Sequence, residues 1–121
     1  MTEITYRAGQ AEIRPWGRWQ VVQTDPGYVV KRIDVNPGAR LSLQYHNHRS
    51  EHWVVVAGRG KVTIGGDTIR VDRGSHIYIP KEIKHRIAND GDAPLVFVEV
   101  QFGTELREDD IVRIDDDFAR K

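Results

Sequence analysis

From residue 17 to residue 102 apolar and polar positions trade places with a period of two rather than 3.6. The cleanest cases are Val62 and Ile64 against Lys61 and Thr63, then Ile69 and Val71 against Arg70 and Asp72. Side chains two apart on an extended chain share a face, so the pattern predicts half-buried strands. Strands are expected at 17–24, 28–35, 39–46, 52–58, 61–66, 67–72, 75–79, 84–89 and 94–102, segments rich in β-branched and aromatic residues. Turn formers separate them: Asp25-Pro26-Gly27, Asn36-Pro37-Gly38, Gly65-Gly66-Asp67 and Asn89-Asp90-Gly91-Asp92, with Gly58-Arg59-Gly60 read as a hairpin turn. Many short strands with regular turns predict an all-β sandwich or barrel. Only the acidic stretch 105–118 departs from the pattern, and one short C-terminal helix is expected there.

Composition narrows the class. The 121 residues suit one domain, 1–121, with a real apolar core. Lys+Arg and Asp+Glu number 18 each, so the net charge is zero. A nucleic-acid or membrane-surface partner calls for a basic excess, and neither is expected. The absence of cysteine excludes disulfides, thiolate metal sites and cysteine nucleophiles. No leader-like apolar stretch opens the chain and no run approaches a membrane span, so a cytoplasmic domain is expected.

Candidate chemistry is concentrated at Leu41–Trp53, "LSLQYHNHRSEHW", which holds three of the five histidines. On a strand ending at residue 46, Ser42, Gln44 and His46 share a face, with successive members roughly 6.6 Å apart. If the chain turns at 47–50 and returns from Glu51, the hairpin offers an amide oxygen, an imidazole and a carboxylate from paired strands, with Trp53 and Val55 also inward. His85, followed by apolar Ile87, is a further inward-facing candidate. His52 alternates away from Glu51 and is read as a surface or structural residue.

The spacing Gly38-x5-Gln44-x-His46-x4-Glu51-x6-Gly58 resembles the first cupin motif, with Gln44 where that motif usually has a histidine. Gly74-x5-Pro80, then His85 and Asn89, resembles the second, with Glu82 at a position usually taken by glycine. The resemblance implies a double-stranded β-helix, a jelly-roll barrel, holding a metal by Gln44, His46, Glu51 and His85. "RPWG" (14–17), the block 30–62, "YIPKEIKHRIAN" (78–89), "PLVFVEVQFG" (94–103) and "EDDIVRIDDDFAR" (108–120) together resemble the type II mannose-6-phosphate isomerase domain, usually the C-terminal part of a bifunctional isomerase and guanylyltransferase. That likeness implies interconversion of mannose 6-phosphate and fructose 6-phosphate. No phosphate-cradling Gly-rich loop leads into a helix, so guanylyl transfer is not expected of this chain.

The ligand set has one anionic member and would leave net positive charge to stabilise an enediolate. Arg49 would add a fixed cation, His48 is the candidate proton carrier, and Ser42 is carried over from the Ser42-x-Gln44-x-His46 likeness to type I isomerases. Zinc is the expected ion, with Mn, Co, Ni and Fe compatible with two imidazoles and two oxygens. Candidate phosphate-binding cations are Arg14, Arg18, Lys31, Arg40, Lys84 and Arg86. Trp16, Trp19 and Trp53 are candidates for sugar stacking or for the core. A homodimer is expected by analogy with small jelly rolls. Two readings compete with isomerisation: a metal cupin acting on another sugar phosphate, and a sugar-phosphate binding module without catalysis.

Overall fold

The computed structural model describes residues 3–118. Among the described residues thirteen strands follow one another: β1 (Glu3–Ile4), β2 (Ala11–Arg14), β3 (Gly17–Asp25), β4 (Tyr28–Val35), β5 (Leu43–Tyr45), β6 (Ser50–Ala57), β7 (Arg59–Ile64), β8 (Asp67–Asp72), β9 (His76–Ile79), β10 (His85–Ala88), β11 (Leu95–Phe102), β12 (Glu105–Leu106) and β13 (Val112–Asp115). A six-stranded sheet runs β2-β3-β4-β11-β6-β9, and a five-stranded sheet runs β13-β5-β10-β7-β8. Neighbours within each pair antiparallel, while β1 lies parallel to β12 in a small separate pair. Among the described residues there is no helix, so none is long and apolar enough to cross a membrane. The short C-terminal helix expected in 105–118 is instead turn and strand. There β13 caps the edge of the five-stranded sheet by pairing with β5.

Two expected hairpins prove to be crossings between sheets. Gly58 separates β6 from β7, yet β6 pairs with β11 and β9 while β7 pairs with β10 and β8. Glycine is required at this corner: φ is 81°, and a Cβ would collide with the carbonyl oxygen of Pro94. Likewise β5 and β6 are not partners; β5 pairs with β10 and β13. The metal-ligand candidates at 44–51 therefore come from opposite walls of the sandwich. A jelly roll folds this way because sheet-to-sheet crossings let both inner faces contribute to one interior.

Strand alternation builds that interior. Trp19 and Val21 of β3, Val29 and Ile33 of β4, Trp53 and Val55 of β6, and Leu95 and Phe97 of β11 all lie on the inner face and are buried. Val62 and Ile87 close the core from the other sheet. The same inward rows also carry Lys31, Glu51, Glu99 and Gln101, all buried. In register Glu99 stands between Lys31 of β4 and Trp53 of β6, and Gln101 faces Glu51. The interior is thus apolar at one end and ionic at the other.

Candidate functional site

His46, Glu51 and His85 meet at the ionic end. One ligand atom from each lies within 4.8 Å of the others, and all three residues are buried. His46 Nε2 is 3.4 Å from Glu51 Oε2, and His85 Nε2 is 4.0 Å from Glu51 Oε1. The rings themselves are 5.1 Å apart. Each imidazole is fixed by its other nitrogen: His46 Nδ1 is 2.6 Å from the Asp110 carbonyl, and His85 Nδ1 is 2.8 Å from the Ile83 carbonyl. A carbonyl only accepts, so each Nδ1 carries the hydrogen and each Nε2 turns a lone pair toward the other ligands. Burial, against the pull of the Glu51 charge, holds His46 down to about 4 and lowers His85 as well, so both rings are neutral at pH 7. Two neutral imidazoles and a carboxylate at this spacing form a donor set that can hold a divalent metal.

Glu51 is ionised despite its burial, which alone would raise its pKa; Arg49, His46 and His85 outweigh that and hold it well below the carboxylate range. Arg49 Nε donates to Glu51 Oε2 at 2.8 Å and Nη2 approaches His46 Nε2 at 3.4 Å, while Trp53 Nε1 donates to Glu51 Oε1 at 2.9 Å. A cation held here would compete with Arg49 for Glu51 Oε2 and His46 Nε2. Trp53 also donates to Glu99. Burial first, then the Glu51 charge, pushes Glu99 up to about 8, so it keeps its proton at pH 7.

The other candidates separate. Gln44 lies opposite His85 in the β5–β10 register, and its Nε2 donates to Ser42 Oγ at 3.1 Å. Ser42 is buried as the partner of that amide. His48 sits in the turn, half exposed, with Nδ1 3.1 Å from Glu105; the turn breaks the strand parity and carries it away from His46. Of the six cations considered for phosphate, Arg14 and Lys31 line a cleft beside the triad, together with Arg49, Gln44, Glu99, Glu108 and Arg113. Arg18 pairs with Gln20, Arg40 with Asp117, Arg86 with Asp115, and Lys84 is exposed. The three tryptophans are all buried; Trp16 and Trp19 wall the cleft, and Trp53 packs edge-on to His85.

Sequence reasoning missed Tyr6, Glu99, Glu108 and Asp110. Glu99 was detectable, since it falls in the inward phase of "LVFVEVQF" between Phe97 and Gln101. Asp110 was not: it acts through its carbonyl on His46 and through its carboxylate, which accepts from the Asn47 and His48 amides at 2.9 Å each. Glu82, where the second cupin motif usually has glycine, adopts a φ of 66°, and its amide donates to the His46 carbonyl at 2.8 Å.

Residues 3–116 match the family model described as "Mannose-6-phosphate isomerase C-terminal". The chain belongs to that family. It is 47% identical over 107 residues to the xanthan biosynthesis protein XanB of Xanthomonas campestris pv. campestris, covering 88% of this chain and 23% of that protein. It is 46% identical over 115 residues to the mannose-1-phosphate guanylyltransferase of Escherichia coli K12, covering 95% of this chain and 24% of the enzyme. The chain thus spans about a quarter of the length of these relatives and corresponds to their C-terminal region. Among solved structures, the cupin domain of Schizosaccharomyces pombe Cnp3 superposes with a TM-score of 0.68 at 15% identity, covering 71% of this chain and 64% of that one. The fold is a cupin.

These findings correct the expectation of a mannose-6-phosphate isomerase. The relatives are enzymes named for guanylyl transfer and xanthan biosynthesis, and a catalytic isomerase is not supported for this domain. Motif spacing had carried the family and the fold; it does not carry the reaction.

Proposed function

We propose that this domain is a metal-dependent binding module for a phosphorylated sugar. The observation that carries the reading is the junction of two unlike features: the buried triad of two neutral imidazoles and a carboxylate, and a cleft beside it lined by both cations and tryptophans. His46, Glu51 and His85 would hold the ion, with Gln44 supplying an amide oxygen. Two nitrogens and two oxygens favour zinc, with the neighbouring first-row ions as competitors. The bound ion would supply Lewis-acid attraction for sugar oxygens.

The chain's own residues do the rest. Trp16, Trp19, Ile33, Leu41 and Ile111 give an apolar wall for a sugar face, while Arg14, Lys31 and Arg113 give positive charge for a phosphate. Because the relatives are named for mannose 1-phosphate, mannose phosphates are the ligands to try before others. Calorimetric titration of zinc into the chelator-stripped protein, then of mannose 1-phosphate and mannose 6-phosphate into the zinc-loaded form, tests the proposal. Stoichiometric zinc binding lost in His85→Ala, with sugar-phosphate binding that depends on zinc, supports it. A folded protein that binds no zinc, or that binds both sugars equally well with and without it, overturns it.

A further inference from the structure

Glu108 is held by three donors from elsewhere in the chain. Its Oε2 accepts from the Tyr6 hydroxyl at 2.7 Å and from Lys31 Nζ at 3.3 Å, and its Oε1 accepts from Arg14 Nη2 at 3.3 Å. The donors are fixed independently of Glu108. Lys31 is 4% exposed, sits 4.2 Å from the ring centroids of both Tyr6 and Trp19, and also donates to the Tyr6 oxygen at 3.1 Å. Arg14 is anchored by Glu12 at 3.0 Å and lies 5.7 Å over the Trp19 ring. Two cations and a phenol therefore converge on Glu108, and Arg14, Lys31 and Glu108 line the cleft.

The Glu108 carboxylate matches the donors only in part. It offers two oxygens to three donors, Tyr6, Lys31 and Arg14, while Glu12 answers part of the Arg14 charge. A phosphate monoester carries about −1.5 to −2 charge and three terminal acceptor oxygens, one for each donor. Glu108 is also the most weakly seated member, with its side chain 38% exposed, in the segment 107–111 between β12 and β13. That segment carries Asp110, whose carbonyl fixes His46.

We propose that Tyr6, Arg14 and Lys31 form a phosphate subsite and that Glu108 occupies it as a built-in competitor which a phosphate monoester displaces. The proposal rests on the sugar-phosphate reading of the same cleft and adds where the phosphate sits and what it must expel. Displacement loosens the 107–111 segment, so phosphate occupancy is felt at the loop that orients His46.

Inorganic phosphate titrated into the metal-free full chain, followed by 31P NMR, tests this without involving the triad. Glu108→Gln keeps hydrogen-bonding capacity but removes the competing charge, and is expected to bind phosphate at least tenfold tighter than wild type. Adding Lys31→Met to that variant should return the affinity to wild type or below. Amide exchange at 107–111 in the wild-type protein should rise on saturation with phosphate. Unchanged or weaker phosphate binding by Glu108→Gln with a wild-type circular dichroism spectrum overturns the proposal and makes the cluster a tether for the tail. So does unchanged exchange at 107–111 under saturating phosphate, which decides the matter even if the variant does not fold. Zinc affinity, measured separately, reports on the metal reading, so the two failures are distinguishable. Mannose 6-phosphate, mannose 1-phosphate and unphosphorylated mannose in the same titration separate a sugar phosphate from free phosphate as the natural occupant.

Discussion

The triad and the Glu108 cluster share one interior, and opposite surpluses distinguish them. At His46, Glu51 and His85 lone pairs face inward, and both rings are locked by backbone carbonyls. At Tyr6, Arg14 and Lys31 the hydrogens and positive charges face inward, locked by aromatic faces and by Glu12. Only a cation satisfies one set and only an anion the other. The difference teaches that a buried polar group in a small sandwich is informative through what it still lacks after its neighbours are counted.

Arg49 joins the two regions, and removing it should have the largest effect. It is buried, donates to Glu51, and also donates to the Arg107 carbonyl at 3.2 Å. Arg49→Met leaves the Glu51 charge buried and unpaired, so urea denaturation of the metal-free variant should show a loss of about 3–5 kcal/mol. Zinc should restore much of that loss and bind tighter than in wild type, because it no longer competes with a guanidinium for Glu51 and His46. A variant destabilised equally with and without zinc would break the distinction between the two regions.

Acid comes next. Burial keeps His46 down to about 4 and lowers His85, whereas their unfolded counterparts take up protons below about 6.5. Their contribution is therefore lost as pH falls through the window from about 6.5 toward 4. Glu99, pushed up to about 8, works the other way: in the range from about 4.5 to 8 the native state holds a proton that the unfolded chain releases. Between pH 6.5 and pH 5 the loss of metal-free stability should be about 2 kcal/mol larger in Glu99→Gln than in wild type, because the opposing group is gone. Equal slopes for the two proteins would show that Glu99 does not hold its proton.

Smaller changes sharpen the contrast. Asp110→Ala removes the acceptor for two turn amides and should cost about 1–2 kcal/mol, with zinc affinity reduced about tenfold through a less firmly held His46. Phosphate affinity of the metal-free protein should change far less. Glu82→Gly relieves a left-handed residue at some entropic cost and should raise stability by about 0.5 kcal/mol in thermal melts, leaving both sites untouched.

Much of the frame was legible. The segments 17–24, 28–35, 67–72 and 94–102 match β3, β4, β8 and β11 to within one residue at each end, because alternation with turn formers at both ends leaves little freedom. The short β1, β2, β12 and β13 were not legible: Glu3–Ile4 is too brief to show a period, and β13 reads as charged tail until Arg113 and Asp115 are seen pairing with β5. His46, Glu51 and His85 could be found from spacing. The sheets they come from could not, since the short polar turn between β5 and β6 serves a crossing as well as a hairpin. His48 shows the limit of parity, which the turn at 47–49 cancels.

The hydrogen bond from His46 to the Asp110 carbonyl spans 64 positions of the chain. A ribosome adding about 5–20 residues per second needs roughly 3–13 s to make that stretch. During those seconds His46 and Glu51 exist without the carbonyl that sets the imidazole's tautomer, and for most of them without His85. Closure of the donor set in its final geometry thus waits until residue 110 has been made, and a chain interrupted before that point would carry His46 without the carbonyl that orients it.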